Sequence, residues 1–149
     1  MTQAASKQPA IREAVLADAP RIAELSTQLG YPSTTEQVLV RFRSLPQDGT
    51  HAVYVAVSDD GVVGWVHVFE LLPVCHDRVA EVAGLVVDAS CRASGVGKRL
   101  MDSAENWARE KGLGTVVLRS NVIREAAHKF YEKLGYSRIK TQHAFRKIL

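Results

Sequence analysis

Arg92, Gly95 and Gly97 stand in the order Arg92-x-x-Gly95-x-Gly97, after an apolar run ending at Val87 and before an amphipathic stretch. Glycines in such a place let backbone N–H groups approach an anion with no Cβ in the way. The start of a following helix adds N–H groups that no helical carbonyl receives, and the positive end of the helix dipole. The combination reads as a cradle for a diphosphate, made of Arg92, Ala93, Ser94, Gly95, Val96, Gly97 and Lys98. The competing reading is an ordinary strand-to-helix turn, with Arg92 and Lys98 as solvated surface charges.

Two cradles of known spacing do not fit. A dinucleotide fold requires G-x-G-x-x-G directly after its strand, and here Leu100 holds the third glycine position. A nucleotide P-loop requires G-x-x-x-x-G-K-[ST], and here Arg92 and Arg99 replace its first glycine and its hydroxyl residue. What remains resembles the acyl-CoA diphosphate loop of the GNAT N-acetyltransferases, [QR]-x-x-G-x-[GA]. Downstream, Ala126-x-x-x-Phe130-Tyr131-x-Lys133-x-Gly135-Tyr136 is similar to the closing motif of the same family. The two motifs come in the family's order and separation, and cover roughly residues 79–140.

The resemblance implies direct transfer of an acetyl group from acetyl-CoA to a primary amine, with a small molecule as acceptor. Protein lysine or N-terminal acetylation, and acyl-CoA sensing without turnover, are the alternatives. An amine of pKa near 10.4 is neutral in only about 1 molecule in 2500 at pH 7, a cost of about 4.6 kcal/mol. A general base or an apolar pocket has to offset it. The tetrahedral intermediate then needs an oxyanion donor, and the CoA thiolate leaves more readily if an acid protonates it.

The resemblance assigns these roles. Glu81, eleven residues before Arg92, matches the glutamate base of the lysine-acetylating branch; otherwise it is a charged strand residue exposed at a sheet edge or paired with Arg78. Tyr131, four before Gly135, matches the family's acid; otherwise it is a core aromatic. The backbone of Leu85, Val86 and Val87 would pair with the pantetheine amides as an added strand. Where many members carry an asparagine, seven residues before the tyrosine, this chain has Arg124; Asn121 either contacts pantetheine or caps the next helix. Arg99 and Lys129 either meet another CoA phosphate or are solvated. Tyr31, Arg41 and Arg43 would border the acceptor pocket, and His67 and His76 lie near it.

The elements that must hold these residues follow from periodicity. Ala10–Ala14 predicts a strand. A helix starts at Asp18 as N-cap, shows Ile22, Leu25, Ser26 and Leu29 on one face, and stops at Gly30. Thr34 and Gln37 make a capping box for a second helix. His51–Ser58 and Val62–Leu72 form a hairpin around Asp59-Asp60-Gly61. Arg78–Val87 is a nearly continuous apolar strand, predicted to be central, with a bulge at Gly84. A third helix, Val96–Lys111, buries Val96, Leu100, Ala104, Trp107 and Ala108. A fifth strand, Thr115–Ser120, a fourth helix, Glu125–Leu134, and two strands near Tyr136–Lys140 and His143–Ile148 complete a β-α-α-β-β-β-α-β-α-β-β order. The fold class is α/β, a mixed sheet with flanking helices, which is also what the resemblance implies.

The chain has 149 residues, enough for one domain with its own core, read as residues 10–149 behind a mobile tail, residues 1–9. A net charge of +3 with scattered basic residues gives nucleic-acid binding no support. No apolar run reaches membrane-span length, and no signal peptide is visible, so a cytoplasmic location is expected. Cys75 and Cys91 have neither metal nor redox spacing, and no metal is expected. A homodimer is left open.

Overall fold

Alternation of apolar residues puts β2 (His51–Ser58) and β3 (Gly61–Leu71) at the heart of a five-stranded sheet. The computed structural model describes residues 7–149. The strand order is β1 (Ala10–Glu13), β2, β3, β4 (Val79–Val87), β5 (Val116–Leu118). The first four are antiparallel neighbours, and β5 runs parallel to β4. A parallel neighbour needs a crossover, and α3 (Val96–Glu110) supplies it.

Both sheet faces are covered. On one, Ile22 and Leu25 of α1 (Ala19–Leu29) and Val38 of α2 (Thr35–Arg43) pack with Val55, Val86 and the partly buried Trp65. On the other lie Leu100, Met101 and Ala104 of α3 with Val66 and Val68, all of them fully buried. Gly64 lets α3 come down onto the sheet: a Cβ there would stand 2.9 Å from the Val86 carbonyl oxygen and 3.0 Å from Leu100. β4 is therefore apolar on both faces without being central. It is the penultimate strand, and β3 is the middle one. Continuous hydrophobicity reports two covered faces, which a strand near the edge also has when helices lie above and below it.

Several local signals are met. Gly30 ends α1 in the left-handed conformation, at φ 103°. Thr34 and Gln37 form the reciprocal capping box of α2. Asp18 departs from its expected role. Its carboxylate does not cap α1; it turns back to accept from both Arg12 guanidinium nitrogens, at 2.8 and 2.9 Å, and from the Val15 N–H at 2.8 Å. Asp18 thus ties the start of α1 to β1. The Arg12 bonds hold its carboxyl below the ordinary aspartate pKa, against the opposing effect of burial.

The chain resolves into two compact units, one reaching to Leu118 and the other spanning Arg119–Leu149. The second contains α4 (Glu125–Lys133). The two strands expected beyond it are absent: residues 136–149 form no strand. Their large apolar side chains find no surface to pack on: Ile139, Phe145 and Ile148 are 78%, 94% and 87% exposed. Of the expected tail, residues 1–6 lie outside the described residues, and the Pro9 carbonyl accepts a hydrogen bond from Arg99. Among the described residues no helix is long and apolar enough to cross a membrane.

Asp18→Asn is expected to lower stability by about 2 kcal/mol, the scale of hydrogen bonds to a charged group, reduced where the half-exposed Arg12 is screened by solvent. Because the folded-state pKa is depressed, this contribution is complete above the ordinary aspartate pKa and fades as pH falls through the folded value. Melting curves of the variant between pH 7 and pH 2 should therefore converge on wild type at the acid end.

Candidate active site

The loop that joins β4 to α3 is held by short-range bonds at its start. Asp88 closes β4 by accepting from the Ser90 hydroxyl at 2.6 Å and the Ser90 N–H at 2.9 Å, and it forms an ion pair with Arg21 of α1. These partners, Ser90 first, hold its carboxyl well below the usual carboxylate range. Gln28 of α1 adds a bond in which its amide oxygen accepts from the Ala89 N–H, at 3.2 Å. The loop is thus fastened to α1 before it turns. Ala93 takes φ 65° and Gly95 φ 84°, both left-handed, and Ser94 bonds the Cys91 carbonyl. Left-handed positions of this kind turn N–H groups toward one side of a loop. The first helical bond of α3 runs from the Arg99 N–H to the Gly95 carbonyl, so the N–H groups of Val96, Gly97 and Lys98 precede the ladder. Arg92 is exposed and has no carboxylate partner among the described residues. Lys98 pairs with Asp102 at 2.9 Å. Arg99 is engaged by the Pro9 carbonyl.

The strand leading into the loop is paired unequally. Its register with β3 skips Ala83: Val82 opposes Val68, and Gly84 opposes His67. The expected bulge is therefore present, with Ala83 as the extra residue beside Gly84. Gly84 is glycine because the Trp65 indole lies against it; a Cβ would sit 2.7 Å from the ring. On the far side, β5 pairs with Ala80, Glu81 and Val82 alone. From Ala83 to Val87, including Leu85 and Val86, the outer edge of β4 has no strand beside it among the described residues.

A cavity of about 380 Å³ opens beside that bulge. Ile22 and Leu29 of α1 and Val38 and Phe42 of α2 wall it, Trp65, His67, Ala83 and Gly84 form its sheet side, and Tyr31, Ser33 and Arg41 stand at its rim. Of the three residues expected to border an acceptor pocket, Tyr31 and Arg41 line this cavity and Arg43 does not. His67 meets His51 across the β2–β3 pair, with Nε2 2.9 Å from His51 Nδ1. His51 stacks on Phe69 at 5.3 Å. Burial, aided by His51, lowers the His67 pKa to about 4, so that ring is uncharged at neutral pH. Sequence reasoning placed His67 near the pocket but missed this pair, because the partners lie on different strands and only the register joins them. Glu81 is half-buried, opposite Phe69 and on the same sheet face as His67, but does not line the cavity. Arg78, its expected alternative partner, forms an ion pair with Glu70. His76 bonds its neighbour's carbonyl, that of Asp77.

In the second unit, Tyr131 is half-buried on α4, edge-on to Phe130 and Tyr136 at centroid distances of 5.1 and 6.0 Å. Burial raises its phenol pKa, with Arg124 opposing, so the hydroxyl is protonated at neutral pH. Asn121 makes the turn before the helix: its side-chain oxygen accepts from the Ile123 N–H at 3.2 Å, and its carbonyl accepts from the Arg124 N–H at 3.0 Å. The His128 ring lies 2.9 Å from the same carbonyl.

A family model and N-acetyltransferase relatives place this mixed sheet and glycine loop in the class of acyl-CoA-dependent N-acetyltransferases. The chain belongs to the acetyltransferase (GNAT) family, whose model matches residues 18–136. It is 31% identical over 119 residues to the uncharacterized N-acetyltransferase YhdJ of Bacillus subtilis, covering 79% of this chain and 81% of that one. It is also 31% identical over 83 residues to the aminoalkylphosphonate N-acetyltransferase of Salmonella typhimurium, covering 55% and 54% of the two chains. The crystal structure of aminoglycoside N-acetyltransferase AAC(6')-Iy in complex with CoA shares the fold, with a TM-score of 0.84 and 19% identity over 99% of each chain.

Two measurements test the geometry. Gly95→Val puts a β-branched residue at φ 84°, a strain of about 1–3 kcal/mol, and fills the space at the loop. Calorimetry should show acetyl-CoA binding weakened at least tenfold; unchanged binding contradicts the cradle. His67 binds its proton less tightly folded than unfolded, so its contribution to wild-type stability should fall as pH drops from about 6.5 to about 4 and change no further below. His67→Gln should flatten that segment of the Tm profile.

Proposed function

We propose that the protein transfers the acetyl group of acetyl-CoA to the primary amine of a small molecule, by direct attack while both are bound. One observation carries the reading: the cavity reaches Ala83 and Gly84, at the inner end of the unpaired edge of β4. A cosubstrate paired along that edge would thus present its thioester at the bulge, where the cavity meets it. N–H groups from Arg92 to Lys98 hold the diphosphate, and the guanidinium of Arg92 and ammonium of Lys98 add charge. The backbone of Leu85, Val86 and Val87 pairs with the pantetheine amides, and Asn121 contributes to the same cosubstrate.

In the reaction the ammonium gives one proton to Glu81, and the freed lone pair forms the C–N bond at the thioester carbonyl carbon; the second proton that the nitrogen then sheds restores the Tyr131 phenolate left once its hydroxyl has protonated the thiolate. Charge collects on the carbonyl oxygen, where a backbone N–H turned out by the bulge stabilises it. The C–S bond then breaks, and the departing thiolate takes the proton of the Tyr131 hydroxyl. Tyr131 and Glu81 enter through their positions in the motifs. The raised phenol pKa keeps the Tyr131 proton in place until a thiolate forms. A cavity of this volume, at the low end of small-molecule sites, favours a small acceptor over a protein segment. The family match runs through both compact units, which supports one transferase domain over residues 10–149.

A screen of amines with acetyl-CoA, reading free thiol, tests the reaction; no release with any amine overturns it. Tyr131→Phe is expected to lower kcat by about 100-fold, within the range for a lost general acid, while the Kd for acetyl-CoA stays within twofold. Unchanged turnover removes the acid role.

A further inference from the structure

We propose that the acceptor carries an anionic group, a carboxylate or phosphonate, at the end of an apolar body remote from its amine, and that Arg41 reads it. The proposal rests on the cavity beside the Ala83 bulge being the acceptor site.

The charge of the cavity is one-sided. No aspartate or glutamate is among its lining residues, and Arg41 is its one arginine or lysine. His67 adds no charge at neutral pH. The Arg41 guanidinium donates to the Ser33 hydroxyl at 3.0 Å and has no carboxylate partner among the described residues. Glu36, on the same helix, shares a shallow outer depression with Arg41 but forms no ion pair with it. A guanidinium presents a planar fork of donors, which matches the two oxygens of a carboxylate or phosphonate. One hydrogen bond to Ser33 steadies that fork and leaves donors over.

The layout separates two ends. Arg41 and Tyr31 stand at the exposed rim, while His67 and Gly84 lie on the half-buried sheet side, where the thioester is placed. Between them Phe42, Leu45, Val53 and Trp65 offer only carbon surface or an indole face. An amine that reaches the bulge lays its body against these walls and leaves its far end at Arg41. A diamine or polyamine would bring a second ammonium to a guanidinium that no carboxylate pairs, in a cavity that no carboxylate lines. A neutral alkylamine would leave the Arg41 donors to water.

The test compares ω-amino carboxylates and ω-aminophosphonates of three to six carbons with neutral alkylamines and diamines of equal length. The readout is kcat/KM for thiol release from acetyl-CoA. Anionic acceptors should exceed neutral ones at least tenfold, and diamines should be poorest. The two anionic arms distinguish carboxylate from phosphonate. Arg41→Gln should shrink the anionic-to-neutral ratio at least tenfold, chiefly through KM of the anionic acceptor, and Arg41→Lys should restore part of it. Arg43→Gln, two residues on and outside the cavity, should leave the ratio as in wild type. Equal use of neutral or dicationic amines by wild type, or an anionic preference that survives in Arg41→Gln, overturns this proposal and leaves the transferase reading intact. Absence of thiol release in every arm, from protein that binds acetyl-CoA, overturns both.

Discussion

The site depends on a strand hydrogen-bonded on both sides at Ala80, Glu81 and Val82 and on one side only thereafter. A backbone edge without a partner is normally a liability, since its N–H and C=O groups invite any extended chain. Here the invitation is placed between a bulge and a glycine loop. Pairing with β5 ends at Val82, beside the bulge at Ala83, and the loop begins at Asp88, so this edge has two defined ends. Loss of pairing with β5 costs little, because water or an extended ligand can satisfy the same groups.

What keeps the edge and loop in register is packing from both faces. Trp65 presses on the Cα of Gly84 from the α1 and α2 side, and Leu100 and Val96 press on Gly64 from the α3 side. Two glycines in adjacent strands thus receive bulky neighbours from opposite directions. Arg21 adds a polar fastening. Its guanidinium reaches the Val62 carbonyl at 2.8 Å, Glu24 at 2.8 Å and the Asp88 carboxylate, linking α1 to β3 and to the loop. Preorganisation of this kind lowers the ordering cost of gripping a flexible cosubstrate.

Thr34 with Gln37, Gly30 after α1, and the 59–61 turn were legible in the sequence because each is settled between neighbours in the chain. The bulge was legible too, since a glycine inside an apolar strand marks a bulge or a close approach of another group. At Gly84 both hold, and the approaching group, Trp65, was not legible. Asp18 stands at the N-cap as expected, but its carboxylate was misread because two partners competed for it: the helix that begins at Ala19, and Arg12 six residues back, which tertiary placement favoured. The rank of β4 in the sheet was misread because helices cover both of its faces. The terminal strands were misread because a strand needs a partner and a surface to cover, and Ile139, Phe145 and Ile148 stay exposed.

By itself the sequence determined the family, the loop that suits a diphosphate and the order of elements through α4, all of which rest on residue types at short, fixed spacings. The tertiary structure alone decided the contact of His67 with His51, the fastening of Asp88 by Arg21, and a cavity with Arg41 as its one arginine or lysine. Those paired residues are 16 and 67 apart in the chain, and a cavity's charge is a sum over whichever side chains the packing brings to one space. Spacing along a chain encodes local geometry, whereas contact between distant residues exists only after hydrophobic burial has chosen which faces meet.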